Sequence, residues 1–442
     1  MAASLRLVGL RVLALGATAS ASPLSIALQH ELDRLFHAKP EVLLQVGWKS
    51  AAEEFGVASG TVRMGASVRS ITPDDKFLFG SGTKPLVASA VMRLVAQQKL
   101  SLDDRARTYV DPYLKRHLNG NTMESLFGPM AANITVGHLL RMQSGLADFD
   151  SPALDARILA AGFVITPYDF IGAASGLGPS LLFAPGTHRA YSSTNYVLAG
   201  LVLLGFDPDA RGDWRRLDQR HLVGMTASRW SNVSFVTDEP LDSVLTVPGA
   251  SGMGTVKPTN ASSHVLVWRQ LGGILGWTCG NMAASAADVA AYYHELLASK
   301  KIVPPTLLDE MEDFGVLDEG PWGVGVIKYG TGLMIENVAG TEVPPGTNAT
   351  PPSLQAWGSY LGHGGDTYGF LSEQGIIPQL GNASFSVVTN QDYLDGYVYR
   401  VACVVVATAA RVLRGVEPPL DCHEPPDGQS GAVTGVGDVP VV

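Results

Sequence analysis

Cysteine is scarce, with only Cys279, Cys403 and Cys422 in 442 residues. That excludes a disulfide scaffold and permits at most one internal bridge. A Cys403–Cys422 bridge would tie the end of the chain back to its last helix, leaving Cys279 as a small buried group. Charge is also thin, at 16% of residues against about 25% in a typical soluble protein. The net charge is −10 and no basic run interrupts it, which argues against nucleic acid, whose binding needs a cationic face to displace counterions. Long apolar runs are missing too. The stretch 401–410, flanked by Arg400 and Arg411, is too short for a bilayer span of about 20 residues and reads as a buried helix. No H-E-x-x-H or paired C-x-x-C pattern exists and the ten histidines are scattered, so no metal site is expected. A G-x-S-x-G elbow is absent, and Lys84-Pro85 breaks any Walker loop. No solenoid repeat occurs. What remains is an ordinary globular core, 46% hydrophobic and rich in glycine (49) and proline (27), which rules out wholesale disorder.

No acidic residue precedes Glu31. Arg6 and Arg11 lead into a short apolar run closed by small residues at 17–21. Residues 1–21 read as a signal or targeting peptide, secretory or, on the same composition, mitochondrial. Five N-x-S/T acceptors, at Asn133, Asn232, Asn260, Asn348 and Asn382, exceed the one or two that chance would give and favour a secretory lumen. Residues 416–442, Pro/Gly-rich and without periodicity, read as a disordered tail.

Between the ends, residues 56–70 and 76–79 look like strands around the turn Thr72-Pro73-Asp74-Asp75. Leu86, Val87, Ala90, Val91, Leu94 and Val95 recur at helical spacing behind Pro85. Residues 100–254 read as mainly helical, with a further helix at 288–297. Strands are expected at 322–329, 369–377 and 385–389, a surface insertion at 331–352 and a closing helix at 394–413. The sheet would therefore be built from about 40–80 and 322–413, with a helical subdomain inserted between, inside one catalytic domain spanning 22–415.

The stretch Gly80-Ser81-Gly82-Thr83-Lys84-Pro85 runs from a turn into that first strong helix. An amine one turn from a hydroxyl can take its proton once desolvation lowers the lysine pKa, and a helix start offers free N–H groups to an oxyanion. S-x-x-K alone is a weak pattern, since Ser81 could simply cap the helix.

Further motifs follow in order: Lys99-Leu100-Ser101-Leu102-Asp103-Asp104, Ile134 to Leu140 with Ser144-Gly145-Leu146, Pro185-Gly186-Thr187, Tyr191-Ser192-Ser193-Thr194-Asn195-Tyr196, Gly276 to Asn281, and Gly362-His363-Gly364-Gly365-Asp366. Together, over roughly residues 40–415, they resemble the serine β-lactamase and penicillin-binding-protein superfamily, in its class C and esterase-like branch. The resemblance implies an α/β fold of the α+β type, β-lactamase/transpeptidase-like, with an antiparallel sheet flanked by helices and an inserted, mainly helical subdomain. It implies an acyl-enzyme serine hydrolase without cofactor, acting on a small ester, amide or peptide. Ser81 would be the nucleophile, Lys84 the holder of its proton, and Tyr191 a base or relay. The Ser81 and Asp366 N–H groups would form the oxyanion hole, with His363, Gly364 and Gly365 bordering the substrate. Ser193 stands where the family usually has Asn, with Asn195 a nearby substitute. His363 stands where it has Lys, which removes a cation near Tyr191, weakens the tendency of that phenol to ionise and leaves Lys84 or Tyr191 as the main base. Gly364 lacks the hydroxyl offered to a substrate carboxylate, which points away from penicillins. The other expectation is an idle fold kept for binding or self-association.

Overall fold

The computed structural model describes residues 21–64, 67–160, 162–177, 180–225, 229–230, 232–252, 264–320, 326–339 and 352–422. Its helices are α1 (Pro23–Ala38), α2 (Lys84–Ala96), α3 (Arg107–His117), α4 (Met123–Phe127), α5 (Val136–Leu140), α6 (Pro152–Leu159), α7 (Pro167–Gly176), α8 (Thr194–Leu204), α9 (Gln219–Val223), α10 (Ala286–Tyr293), α11 (Pro305–Met311) and α12 (Asp395–Arg414). The strands are β1 (Leu44–Lys49), β2 (Glu54–Ser59), β3 (Thr61–Met64), β4 (Ser67–Ser70), β5 (Phe77–Leu78), β6 (Ser234–Phe235), β7 (Gly249–Ser251), β8 (Val265–Val267), β9 (Met282–Ala284), β10 (Gly315–Val316), β11 (Lys328–Tyr329), β12 (Met334–Asn337), β13 (Ser359–Gly362), β14 (Gly365–Thr367), β15 (Phe370–Ile377) and β16 (Ala383–Thr389).

The main sheet runs β10-β11-β12-β13-β15-β16-β1-β2, with β14 pairing β15 beside β13, and every pairing is antiparallel. As the sequence pattern implies, β1 from the start of the chain lies against β16 from its end, Leu44 opposite Thr389. The helical segments from α3 to α9 lie between them in sequence, from Arg107 to Val223.

One face of the sheet is closed by α1 and α12. Ser22 caps α1 by accepting from Ser25 N–H at 3.1 Å, and Pro23 occupies a first-turn position where its missing N–H costs nothing. Leu24, Leu28, Leu32 and Leu35 form its buried stripe and pack with Val401, Ala402, Val405 and Ala409 of α12. Residues Gly396–Arg414 are long and apolar enough to cross a membrane, but 67% of that stretch is buried inside the molecule, the mark of a core helix. The other face carries a larger core shared by α2, α8 and α10.

Four expectations need correcting. Within 322–329 the described strand is only Lys328–Tyr329; residues 321–325 lie outside those described. The supposed insertion at 331–352 contains β12, whose Met334, Ile335 and Glu336 are buried in the sheet. Glu336 breaks the apolar pattern because it is held by internal partners, which sequence period does not register; residues 340–351 lie outside those described. The expected tail begins with an anchored segment, since Cys422 is bridged to Cys403 of α12, and residues beyond 422 lie outside those described. Helix α1 was not anticipated at all behind the leader-like composition, and the targeting peptide falls on residues 1–20, also outside those described. Cys279 is free and buried.

Candidate active site

The chain enters the site from β5. Gly80 has φ +46°, a left-handed turn that disfavours a side chain. A Cβ there would also overlap the Asp366 backbone on β14. Residues Gly80–Thr83 form a 3-10 turn and α2 starts only at Lys84, later than the sequence suggests. Ser81 is therefore presented on a tight turn rather than on the helix itself, with Lys84 buried behind it.

Lys84 has no exposed surface. Its Nζ lies 2.7 Å from Ser81 Oγ, 3.3 Å from Ser193 Oγ and 3.2 Å from the Cys279 carbonyl oxygen. The Tyr191 ring is 5.0 Å away. Burial pushes the Lys84 pKa down, opposed by Asp148 and Asp150. Nζ donates to all three oxygens; when the amine gives up its proton, two N–H groups still serve Ser193 and Cys279 and its lone pair turns to the Ser81 hydroxyl. The Tyr191 hydroxyl donates to Ser81 Oγ at 2.9 Å. Burial, with Asp148 and Asp150 adding, raises the Tyr191 pKa well above its ordinary value, so the phenol stays protonated. Ser81 Oγ thus sits between a phenol and an amine.

Ser193, in the position where the resemblance leads one to expect Asn, still reaches Lys84. Asn195 does not substitute for it. Its amide faces Met142 and the Ser192 carbonyl instead, because the first turn of α8 points it into the core.

His363 is fully buried and offers no surface to a substrate. Its Nδ1 donates to the Gly364 carbonyl at 2.6 Å, which leaves Nε2 to accept from the Tyr329 hydroxyl at 3.3 Å. Burial, then Lys84, lowers its pKa to about 3, so it is a neutral strut behind Tyr191. Gly364 also departs from expectation. A side chain there would meet the buried carboxyl groups of Glu373 and Glu336, so position 364 faces away from the cleft. Gly365 and Asp366 of β14 run beside the Ser81 turn, and a Cβ on Gly365 would overlap the Phe79 carbonyl. That close approach sets the β14 backbone against the nucleophile turn, where paired N–H donors are required.

The sequence reading missed an acidic group. Phe149 N–H donates to Thr194 Oγ1 at 3.1 Å, and the Ser192 and Thr194 hydroxyls donate to the Ala147 carbonyl at 3.1 and 2.8 Å. This clips the 147–150 loop onto the Tyr191 motif. Asp148 Oδ1 accepts from Ser193 N–H at 3.1 Å; burial, then Asp150, raises its pKa to about 7. Asp155 is raised to about 7 by burial and Asp150 and accepts from the Tyr368 hydroxyl at 2.8 Å. Asp150 is exposed, its pKa is raised by desolvation, and its charge acts on both Lys84 and Tyr191. The signal available was Asp148-Phe149-Asp150, one residue beyond the Ser144-Gly145-Leu146 turn, in an otherwise lightly charged chain. Among the described residues no group of three or more His, Cys, Asp or Glu is arranged to hold a metal ion.

Of the five glycosylation acceptors, Asn133 and Asn382 are exposed and Asn232 is half-buried, while Asn260 and Asn348 lie outside the described residues.

The fold is similar to three solved structures. The D-amino acid amidase from Ochrobactrum anthropi SV3, complexed with D-phenylalanine, superposes with TM-score 0.66 at 19% identity, covering 89% of this chain and 100% of that one. A D-stereospecific amidohydrolase from Streptomyces sp. gives TM-score 0.60 at 21% identity, covering 83% and 94%. The octameric penicillin-binding protein homologue from Pyrococcus abyssi gives 0.63 at 19%, covering 87% and 76%. The family model described as Beta-lactamase matches residues 47–402, a span that holds Ser81, Lys84, Tyr191 and the β14 edge together, and the chain belongs to the Beta-lactamase family.

Proposed function

We propose that the protein is a serine hydrolase that cleaves ester or amide bonds through an acyl-enzyme on Ser81. The observation that carries this is the Ser81 hydroxyl held between Lys84 Nζ at 2.7 Å and the Tyr191 hydroxyl at 2.9 Å. Ser81 Oγ attacks the carbonyl carbon while its proton passes to the neutral Lys84 amine. The developing oxyanion is held by the N–H groups of Ser81 and Asp366. As the carbonyl reforms, Tyr191 gives its proton to the leaving group and is reprotonated from Lys84. Water then attacks the acyl carbon, losing its proton to Lys84 along the same relay, and as the acyl–oxygen bond breaks Ser81 Oγ takes that proton from Lys84, which restores the hydroxyl and the neutral amine. Tyr191 acts as relay rather than resting base, because its pKa is raised.

Asp150, exposed and close enough to act on Lys84 and Tyr191, supports a substrate bearing a free ammonium near the scissile carbonyl, as in an amino-acid amide or short peptide, and the D-amino acid amidase neighbour has the same kind of substrate in its name. Asp150→Asn is expected to lower kcat/KM for such substrates about tenfold, the scale of a charge-assisted hydrogen bond, and to leave N-acylated analogues unchanged. Equal effects on both, measured as kcat/KM, would remove the ammonium from the reading. The Cys403–Cys422 bridge supports an oxidising, secretory compartment. The deciding experiment is intact-mass labelling of the folded protein with a fluorophosphonate and with a penicillin. A fluorophosphonate adduct mapped to Ser81 is expected, without a lasting penicillin adduct. No adduct with either probe would favour the idle, self-associating fold.

A further inference from the structure

On the sheet face opposite Ser81, two glutamates meet beneath Gly364. Along β15, Leu371 and Ile377 belong to the α1/α12 core while Phe370 and Ile376 belong to the other, so the two-residue period puts Glu373 on the α12 side. Glu336 reaches the same point from β12. Each is 3% exposed. The Gly364 N–H donates to Glu336 Oε1 at 3.0 Å. A Cβ on Gly364 would lie 3.1 and 3.2 Å from the two Glu373 oxygens and 3.4 Å from Glu336 Oε1. Both carboxyl groups therefore converge on one Cα. The Tyr360 hydroxyl donates to Glu373, and the other titratable groups facing the pair are Tyr399 on α12 and, more remotely, Tyr293 on α10. His363, next along the chain, is neutral.

We propose that Glu336 and Glu373 are positioning residues: sharing a single proton, they hold the Gly364 backbone from the far face of the sheet and thereby set the β14 edge that carries Asp366. Two carboxylates this close and this buried cannot both stay charged. Burial raises Glu336 to about 7, and burial followed by Glu336 pushes Glu373 well above the carboxylate range. With one proton, Glu336 accepts from Gly364 while the neutral Glu373 completes the cluster. When alkali removes that proton to solvent hydroxide, two like charges press apart directly under the break between β13 and β14. Gly364 moves, and the Asp366 N–H two residues on loses its alignment with the Ser81 turn. This dependence rests on the acyl-enzyme reading of Ser81, and the test separates the two.

The test is the pH profile of the fluorophosphonate labelling rate, with folding followed by circular dichroism. In the wild type the rate should fall on the alkaline side as the pair loses its proton. In Glu373→Gln and Glu336→Gln the doubly charged state does not exist, so that limb should disappear while the rate at pH 7 stays within about threefold. Glu336→Leu removes the acceptor for Gly364 N–H and should slow labelling about tenfold at every pH, a loss that Glu336→Gln rescues. A wild type that never labels overturns the acyl-enzyme reading. A wild type that labels, with glutamine variants that keep its alkaline limb, overturns the positioning role, even if their melting temperatures drop.

Discussion

Ser81→Ala is expected to eliminate the fluorophosphonate adduct and to lower turnover of any ester or amide substrate by roughly 10³-fold or more, the scale seen when a nucleophile is removed from a cooperating set. Only the hydroxyl is lost from a half-buried side chain on a turn whose backbone bonds do not involve it. The fold should therefore be retained, although Lys84 Nζ and the Tyr191 hydroxyl each lose a partner, a loss on the order of 1–3 kcal/mol. Lys84 and Tyr191 would remain 100-odd residues apart in sequence and adjacent in space, with nothing between them to activate. Intact mass and steady-state kinetics check both halves. A variant that hydrolyses substrate at the wild-type rate would move the nucleophile elsewhere.

Lys84→Met should be nearly as damaging to chemistry while the fold is kept. Methionine fills a similar volume but cannot accept the Ser81 proton, and loss of a general base costs typically 10² to 10⁴-fold. The pH behaviour gives the sharper check. Only the unprotonated amine accepts a proton, so wild-type kcat/KM should rise with pH through the Lys84 pKa, which burial has lowered; that limb should vanish in Lys84→Met. Stability follows the same linkage. Lys84 binds its proton more weakly folded than unfolded, so it costs stability as pH falls from its unfolded value, about 10.4, toward its folded one, and the cost is lifted as pH rises. In Lys84→Met that component of the pH dependence is gone. Thermal melts across pH, beside the rate profile, would separate a base from a packing residue: unchanged kinetics in the methionine variant would leave Lys84 with no chemical part.

The parts of the site legible in sequence are those whose chemistry is local. Ser81 and Lys84 lie three residues apart, and Pro85 and the apolar spacing behind them announce a helix. Tyr191 and the His363 to Asp366 stretch are short strings with ordered neighbours. The central strands 370–377 and 383–389 declare themselves by β-branched and aromatic residues. What stayed hidden depends on register. Glu336 and Glu373 come from β12 and β15, with β13 between them, and no local pattern says that they converge on Gly364. Asp148 reads as a solvated loop acid until the 147–150 loop is seen clipped to Thr194. His363 was placed against the substrate because its neighbours in sequence are there. The alternation of a strand turns it instead toward Tyr329, and turns Gly364 to the far face.

The sheet that carries this site is closed by contacts between the two ends of the chain: Leu43 N–H donates to the Asn390 side chain at 2.7 Å, 347 residues away in sequence, and β1 is flanked by β16 on one side and β2 on the other. During synthesis the β1–β2 hairpin and α1 can pack on each other, Gln29 bonding the Ala58 backbone, but the free edge of β1 and the rest of the α1 leucine stripe must wait until β16 and α12 emerge. Such long-range closure makes for slow folding and a prolonged exposure of apolar surface. Ser81 and Lys84 are made early, but the β14 edge opposite them arrives some 280 residues later, so the two sides of the site cannot meet until β14 has been synthesised.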